Sequence, residues 1–257
     1  MDKIPTIPLA LIPGARYSKA LNYPASDEKE VASRLKELEA TGITALRFAG
    51  RSMIDGLEVL GKGCVGIVIQ AVVQDRLVAL KMRRADADRP SMFEEARLLR
   101  LATSVNVGPQ LIAATKNFLV MEYFDGVPLF KWAEQQGKRL SDAAVVLSSL
   151  LDACFRLDSI GLDHGELSRA PKNVLIADSK ETCIVDFESA SSARRAANVT
   201  SLLQYFLFGS ISHSLPKSKM FPRKGKILTA LSEYKHDGSV ETYRNLRQVL
   251  RLSDVSA

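Results

Sequence analysis

The sequence predicts an α+β fold of two lobes: a small, mostly antiparallel β lobe with one helix, and then a mainly helical lobe. Three observations support this prediction. The length of 257 residues allows a large core and two lobes. Residues 57–82 contain three closely spaced glycines followed by β-branched residues, as in strands joined by tight turns, and residues 141–160 repeat apolar side chains at helical spacing. We expect an N-terminal arm and helix over residues 1–42, a first lobe over 43–124, and a minimal second lobe over 125–257.

The chain before the first lobe is expected to be extended and then helical. Residues 1–25 are interrupted by prolines, which favours an extended arm. Residues 26–27, a serine and an aspartate, predict the cap of a helix. Residues 43–49 and 57–60 then predict strands separated by one polar turn that contains glycine.

The composition is that of an ordinary globular protein, with 46% hydrophobic and 25% charged residues. No apolar run reaches the roughly 20 residues of a membrane helix. The apolar opening is short, broken by prolines and without a basic leader, so we predict no signal peptide. The cysteines are far apart and lack metal-site spacing, which favours a reducing, cytoplasmic location.

A glycine-rich loop connects strands of the first lobe. Gly61, Gly63 and Gly66 form a G-x-G-x-x-G pattern, and Val68 follows it. A dinucleotide-binding loop of this pattern would open a helix, whereas β-branched residues follow here at once. Glycines let the backbone approach phosphate groups without a Cβ in the way. Lys81 in the next predicted strand adds a positive charge for those phosphates.

A lysine buried in a strand needs an opposite charge nearby. The next predicted helix offers Glu94 and Glu95. Ser91 and Glu94 have the spacing of a capping box, which leaves Glu95 on the apolar face of the helix. We therefore predict an ion pair between Lys81 and Glu95. The alternative is that both glutamates are solvated acids of the first helical turn.

The second lobe contains a hairpin with an oxygen-rich edge. Residues 174–176 and 183–185 predict short buried strands joined by a turn. Asn173 precedes the first strand and Asp186 follows the second, so antiparallel pairing brings both side chains to one edge. Such oxygen ligands suit Mg²⁺.

These motifs follow one another in a definite order: GKGCVG, VALK, FEEARLL, VMEY, HGEL, KN and VDFE, within residues 57–210. In this order they resemble the protein-kinase superfamily. HG-x-L in place of HRDL, the lack of an A-P-E signature and the short link after Asp186 resemble the minimal atypical serine/threonine kinases. These are the RIO type and the small kinase of the KEOPS complex, in an archaeal form. The resemblance implies ATP, Mg²⁺ and transfer of the γ-phosphate to a Ser or Thr hydroxyl of a protein substrate.

The resemblance also implies roles for individual residues. Glu166 stands where the family keeps its catalytic aspartate. Lys81 would contact the phosphates while Glu95 holds it, and Asn173 and Asp186 would bind the metal. Contacts to the nucleotide are implied for Gly61, Lys62, Gly63, Cys64, Val65, Gly66, Val68, Ala79, Lys81, Met121, Glu122, Phe124 and Asn173.

Four features depart from the family pattern. Glu166 replaces the aspartate, Ser168 stands where a phosphate-contacting lysine is usual, and Glu188 replaces the glycine of D-F-G. The interval from Glu166 to Asn173 is two residues longer than usual, with Arg169 and Ala170 as the apparent insertion.

These departures leave alternatives open. Asp163 is the rival catalytic base, and Arg169 or Lys172 is a candidate for the part of the missing lysine. If the base is out of reach, the protein is a nucleotide-binding pseudokinase or an ATPase-type scaffold in an RNA or ribonucleoprotein complex. A small-molecule kinase of the aminoglycoside type ranks last, because such enzymes need an acidic pocket and the last segment here is basic.

The net charge of +6 lies in the last segment, since the residues after Phe187 include 11 Lys and Arg against 5 Asp and Glu. A basic cluster of this kind can bind RNA or an acidic partner, and the alternative is a solubilising loop. Its members are Lys217, Lys219, Arg223, Lys224 and Lys226.

Overall fold

The computed structural model describes residues 6–14, 16–135, 139–168, 172–209, 221 and 224–252. The chain forms two compact units, Met1–Arg100 with Pro109–Tyr123 and Leu101–Gly108 with Phe124–Ala257. The α+β class is as predicted, with an antiparallel sheet in the first unit and mainly helices in the second. Within the described residues, none of the helices has both the length and the apolar character needed to cross a membrane.

The first unit is an antiparallel sheet packed against helices. Its elements are β1 (Thr6–Pro8), α1 (Ser18–Leu21), α2 (Glu28–Glu39), β2 (Ile43–Arg47), β3 (Ser52–Ile54), β4 (Leu57–Val59), β5 (Gly61–Lys62), β6 (Gly66–Val73), β7 (Arg76–Arg83), β8 (Leu111–Ala114), β9 (Phe118–Glu122) and the start of α3 (Phe93–Thr103). The strand order is β1-β2-β6-β7-β9-β8, with β5 paired to β6 beside this path. β3 and β4 pair with each other as a separate hairpin.

The two faces of this sheet have different surroundings. Val68 lies opposite Lys81, and Ile67 lies opposite Met82 on the neighbouring strand. Because side chains alternate along a strand, the two pairs point to opposite faces. The face of Ile67 and Met82 belongs to a core that includes Leu38 of α2 and side chains of the N-terminal arm. The face of Lys81 is therefore turned away from this core.

The N-terminal segment is an integral part of the first unit. Asp27 caps α2 through hydrogen bonds from backbone N–H groups, as predicted. Arg34 of α2 is only 1% exposed and donates to the backbone carbonyls of Leu21 and Arg83. Part of the arm is a strand that was not predicted, because β1 is short and contains Pro8. That proline is tolerated because β1 lies at the edge of the sheet.

The prediction of one polar turn between the strands at 43–49 and 57–60 is wrong, because β3 lies inside that stretch. The turn between β3 and β4 consists of Asp55 and Gly56, whose φ angles are 44° and 78°. Asp-Gly is a strong signal for a tight hairpin turn, because both central residues need positive φ. The Asp-Gly pair is present in the sequence, but it is only two residues of the longer polar stretch that was predicted as one turn.

The second unit is mainly helical. Its elements are β10 (Val127–Pro128), α4 (Leu129–Gln135), α5 (Leu140–Ser159), β11 (Val174–Ile176), β12 (Thr182–Ile184), α6 (Asn198–Phe208), α7 (Lys224–Asp237) and α8 (Val240–Val249). β11 pairs with β12 as the predicted hairpin, and β10 extends this small sheet. α5 covers the stretch in which apolar residues repeat at helical spacing, as predicted. Burial raises the pKa of the Cys154 thiol in this helix well above the usual range. This cysteine is therefore a packing residue.

Polar contacts attach α7 and α8 to α5. The hydroxyl of Tyr234 donates to Asp158 at 2.9 Å, and the hydroxyl of Tyr243 donates to Asp152 at 2.6 Å. Arg247 also donates to Asp152 at 2.6 Å. The basic cluster is only partly described: Lys224 and Lys226 are exposed on the first turn of α7. The other three predicted members, Lys217, Lys219 and Arg223, lie outside the described residues.

Candidate active site

Lys81 and Glu95 form a buried ion pair in the first unit. The Nζ atom of Lys81 lies 2.7 Å from Oε1 of Glu95, and the side chains are 6% and 5% exposed. The predicted pairing is thus present, although the predicted capping box is not. α3 begins at Phe93, so Ser91 is not its N-cap residue, and both carboxylate oxygens of Glu94 accept hydrogen bonds from Arg97 instead. Glu95 faces inward because it shares the buried side of α3.

The sheet face around Lys81 is apolar and half-buried. Ala79 on β7 lies opposite Met121 on β9, and Val68 on β6 lies opposite Lys81. Val68, Ala79 and Met121 are each partly accessible, in contrast to the fully buried opposite face. Small-molecule sites are typically apolar surfaces with a few fixed polar groups. This face has that character, with the Lys81 ammonium as its charged group.

The end of β9 carries the remaining predicted adenine contacts. Glu122 is exposed, and its backbone N–H donates to the carbonyl of Gln110 at 2.9 Å. This N–H is therefore occupied. Phe124 begins the second unit and is half-buried there.

The glycine-rich loop is a tight hairpin between β5 and β6. The N–H of Gly63 donates to the carbonyl of Gly66 at 2.8 Å, and Gly61 lies opposite Val68. Cys64 at the tip is exposed and Val65 is buried. The described loop therefore has a defined shape.

In the second unit, hydrogen bonds hold both carboxylate oxygens of Glu166. The side-chain amide of Asn173 donates to Oε2 at 2.8 Å, and the hydroxyl of Ser189 donates to Oε1 at 2.7 Å. The longer interval between Glu166 and Asn173 therefore does not separate them. Because the Nδ2 group of Asn173 faces Glu166, its amide oxygen is the atom left to bind a cation.

Asp186 directly follows the hairpin. The N–H of Val185 donates to the carbonyl of Asn173 at 2.9 Å, so Asp186 is one residue beyond the position opposite Asn173. Asp186 has φ 68° and ψ 72°, a left-handed conformation that is unusual for a residue with a Cβ and recurs at functional sites. The described residues contain no group of three or more His, Cys, Asp or Glu side chains that could hold a metal ion. The amide oxygen of Asn173 and the carboxylate of Asp186 are the kind of oxygen ligand that Mg²⁺ takes together with phosphate and water.

Asp163 is engaged by a different set of groups. Its Oδ2 atom accepts a short hydrogen bond from Nε of Arg194, and its Oδ1 atom accepts from the N–H of Ala197 at 3.2 Å. Arg194 also donates to the carbonyl of Ser189 at 2.6 Å. A Cβ on Gly165 would lie 2.2 Å from Nη2 of Arg194. Arg194 thus ties the link after the hairpin to the HGEL motif.

His164 is a buried structural residue. The centroid of its ring lies 5.0 Å from the centroid of the Phe187 ring. Its backbone N–H donates to Oδ1 of Asn198 at 2.8 Å. The Nε2 atom lies 3.0 Å from the carbonyl of Val185, and a protonated Nε2 is the donor that this acceptor requires. Burial lowers the pKa of His164, so the ring is neutral.

Sequence reasoning did not select Ser189 or Arg194 as site residues. Ser189 follows Glu166 by 23 residues, and only the fold brings the two together. Of the candidates to replace the missing lysine, Lys172 is exposed. Arg169 lies outside the described residues, as does Ala170.

Comparison with known proteins places the chain among kinases. Residues 54–202 match the family described as protein tyrosine and serine/threonine kinase, a range that contains every predicted catalytic, nucleotide and metal residue. The chain is also 28% identical over 183 residues to the probable serine/threonine-protein kinase PknB of Lactococcus lactis subsp. lactis (strain IL1403). The aligned part is 66% of this chain and 28% of that relative, so the chain spans just over a quarter of the relative's length.

Proposed function

The chain belongs to the protein tyrosine and serine/threonine kinase family, and from this premise we propose that it is an ATP- and Mg²⁺-dependent protein kinase acting on Ser or Thr. The observation that carries the proposal is the buried ion pair between Lys81 and Glu95. Protein kinases need this pair in place for phosphoryl transfer. A buried ion pair is costly to desolvate, so its position on a half-buried face favours a ligand-binding role over a purely structural one.

The first unit supplies the proposed nucleotide contacts. The half-buried side chains of Val68, Ala79 and Met121 would border the adenine, and the backbone of Glu122 and Phe124 would hydrogen-bond it. The ammonium of Lys81 would neutralise phosphate oxygens. The glycine-rich loop would cover the phosphates, through Gly61, Lys62, Gly63, Cys64, Val65 and Gly66.

The second unit supplies the proposed chemistry. Asn173 and Asp186 would hold Mg²⁺, which when bound neutralises negative charge on the phosphates. Glu166 would accept the proton of the substrate hydroxyl. At the same time the hydroxyl oxygen would form its bond to the γ-phosphorus, and the bond from that phosphorus to ADP would break. Both carboxylates accept two hydrogen bonds, but those to Glu166 come from the neutral side chains of Asn173 and Ser189, whereas Asp163 is ion-paired with Arg194. Glu166 is therefore the better candidate for the base.

The short link after Asp186 supports assignment to the atypical kinases. α6 begins at Asn198, and Arg194 holds the intervening segment through Asp163 and Ser189. This ion pair would fix the segment without a phosphorylated activation loop. We also propose the cytoplasm as the site of action, because the cysteines suit a reducing compartment.

The proposal is tested with γ-labelled ATP, Mg²⁺ and a generic protein substrate such as casein, together with autophosphorylation. Wild-type protein is expected to transfer label, and Lys81→Met and Asp186→Asn are expected to lose transfer. Circular dichroism melting checks that both variants are folded. ATP binding by the wild type with no transfer would overturn the kinase assignment in favour of a nucleotide-binding scaffold.

A second candidate role, in an RNA complex, rests on the exposed Lys224 and Lys226 at the start of α7. RNA binding through phosphates weakens as salt rises. In a plot of log affinity against log salt concentration, the magnitude of the slope should fall by about 1 for each phosphate contact removed. The double variant Lys224→Gln, Lys226→Gln is therefore compared with the wild type. An affinity for single-stranded RNA that does not change with salt would rule out this role.

A further inference from the structure

Tyr23 connects the N-terminal segment to the base of the glycine-rich loop. It lies well before residue 54, where the match to the kinase family begins. Its hydroxyl accepts a hydrogen bond from Nζ of Lys62 at 2.6 Å, and the same ammonium lies 4.7 Å from the centre of the Tyr23 ring. The carbonyl of Tyr23 accepts from the N–H of Ala85 at 2.8 Å. Both the side chain and the backbone of Tyr23 therefore contact residues next to the loop.

Arg84 joins the same ring to the loop itself. Its guanidinium carbon lies 5.3 Å from the centre of the Tyr23 ring. Its Nη1 atom donates to the carbonyl of Gly63 at 3.0 Å, and its backbone N–H donates to the carbonyl of Val65 at 2.8 Å. Asp86 accepts from Nε at 2.8 Å and from Nη2 at 2.7 Å, which fixes the plane of the guanidinium. Arg84 thus attaches Gly63 to a guanidinium that Asp86 holds in place, and Val65 to its own backbone amide; its side chain is only 17% exposed.

We propose that Tyr23 and Arg84 are positioning residues that hold the glycine-rich loop in the shape that receives the nucleotide phosphates, an inference that rests on the proposed function. A loop rich in glycine loses much conformational freedom on ordering. The bonds from Arg84 to Gly63 and Val65 order the loop before a nucleotide arrives. A preordered loop binds more tightly because less entropy is lost on binding.

Tyr23 adds a second effect, on charge. By accepting the hydrogen bond from Lys62 and lying beside its ammonium, it keeps that positive charge at the start of the loop. A lysine without this contact would sample many rotamers in water. The contact therefore holds in place a charge that attracts phosphate.

The first test is amide hydrogen exchange in protein without nucleotide. The variants are Tyr23→Phe, which keeps the ring and removes the hydroxyl, and Arg84→Gln, which removes the guanidinium. Tyr17→Phe is the matched control, because Tyr17 lies in the same segment with its ring stacked 5.2 Å from Phe48. Arg84→Gln loses the hydrogen bond from the guanidinium to the carbonyl of Gly63. We expect this loss to speed exchange of the backbone amides at positions 63 and 84 by roughly 3- to 10-fold. Exchange no faster than in Tyr17→Phe would overturn the inference.

The second test separates positioning from simple loss of structure. If the loop is preordered for binding, both variants should raise the KM for ATP roughly 3- to 10-fold and leave kcat within about two-fold, because ground-state and transition-state binding weaken together. A merely structural role would reduce the folded fraction and lower kcat at an unchanged KM, which would overturn the inference. If the wild-type protein binds no ATP, both the proposed kinase function and the inferred effect of Tyr23 and Arg84 on nucleotide binding are wrong. The exchange experiment would still decide whether Tyr23 and Arg84 order the loop.

Discussion

Gly66 lies directly against the side chain of Lys81. A Cβ at position 66 would be 2.9 Å from Cε and 3.1 Å from Cγ of the lysine, and 3.2 Å from the carbonyl of Met82. A lysine chain usually moves aside easily, but the Nζ atom of Lys81 is held by Glu95 at 2.7 Å. The absence of a Cβ at Gly66 therefore leaves room for the Lys81 side chain in the ion pair.

Replacing Gly66 with alanine should therefore disturb Lys81. We expect Gly66→Ala to lower the free energy of unfolding by about 1–3 kcal/mol, the usual cost of overpacking. Gly61→Ala is the matched control, because an added Cβ there meets nothing within 4 Å. Urea denaturation measures both. Equal effects of the two substitutions would show that the Lys81 contact is unimportant for stability.

The glutamates of α3 should differ in their effect on stability. Glu95→Ala removes the carboxylate that faces the buried ammonium of Lys81, and breaking a buried pair in this way typically costs about 3–5 kcal/mol. Glu94→Ala should have little effect, because its pair with Arg97 is exposed to water. Thermal and urea unfolding of the two variants provide the comparison. A loss of stability in Glu94→Ala as large as that in Glu95→Ala would contradict the assignment.

Ser189 should matter for the rate of phosphoryl transfer. Ser189→Ala removes the hydrogen bond to Oε1 of Glu166, and a bond to a charged group is worth about 1.5–3 kcal/mol. A loss of that size in transition-state orientation lowers kcat by roughly 10- to 100-fold. Ser159→Ala is the control, since its hydroxyl bonds only the carbonyl of Arg156 at the end of α5. An unchanged kcat in Ser189→Ala would show that the hydrogen bond from Ser189 to Glu166 does not contribute to the rate.

His164 should make the folded state sensitive to mild acid. Burial lowers the pKa of His164 below its value in the unfolded chain, which is about 6.5. Above that pH both states are neutral. As the pH falls below it, the unfolded state gains a proton first, so the free energy of unfolding decreases by up to about 1.4 kcal/mol per pH unit.

The measurement is urea denaturation of the wild type and His164→Gln between about pH 7.5 and pH 5. Glutamine keeps a donor for the carbonyl of Val185 and does not titrate. The wild type should lose more stability over this range than the variant. Parallel pH profiles would contradict the assignment of His164 as the acid-sensitive group.

Local patterns in the sequence predicted much of the site. The glycine-rich loop, the strand with Lys81 and the hairpin between Asn173 and Asp186 each depend on residues close together in the chain. The choice of Glu95 was correct, but the reason was not, because Glu94 pairs with Arg97 instead of capping α3. An exposed glutamate has several partners within reach, and the sequence does not rank them.

The contacts that were missed join residues far apart in the chain. Ser189 reaches Glu166, and Tyr23 reaches Lys62, only after strands and helices have packed. The effect of the longer interval before Asn173 was likewise undecided from spacing alone. In the structure Asn173 still donates to Glu166 at 2.8 Å, because the hairpin fixes one partner and the HGEL turn fixes the other.

We expect Glu166 to act as the base of a phosphotransferase. The most direct test compares single-turnover transfer from γ-labelled ATP with Mg²⁺ by the wild type and by Glu166→Gln, which keeps the size of the side chain and removes its charge. We expect the rate to fall by about 10²–10⁴-fold, the usual contribution of a general base. A Glu166→Gln rate equal to the wild-type rate would show that Glu166 is not the base and would make Asp163 the candidate.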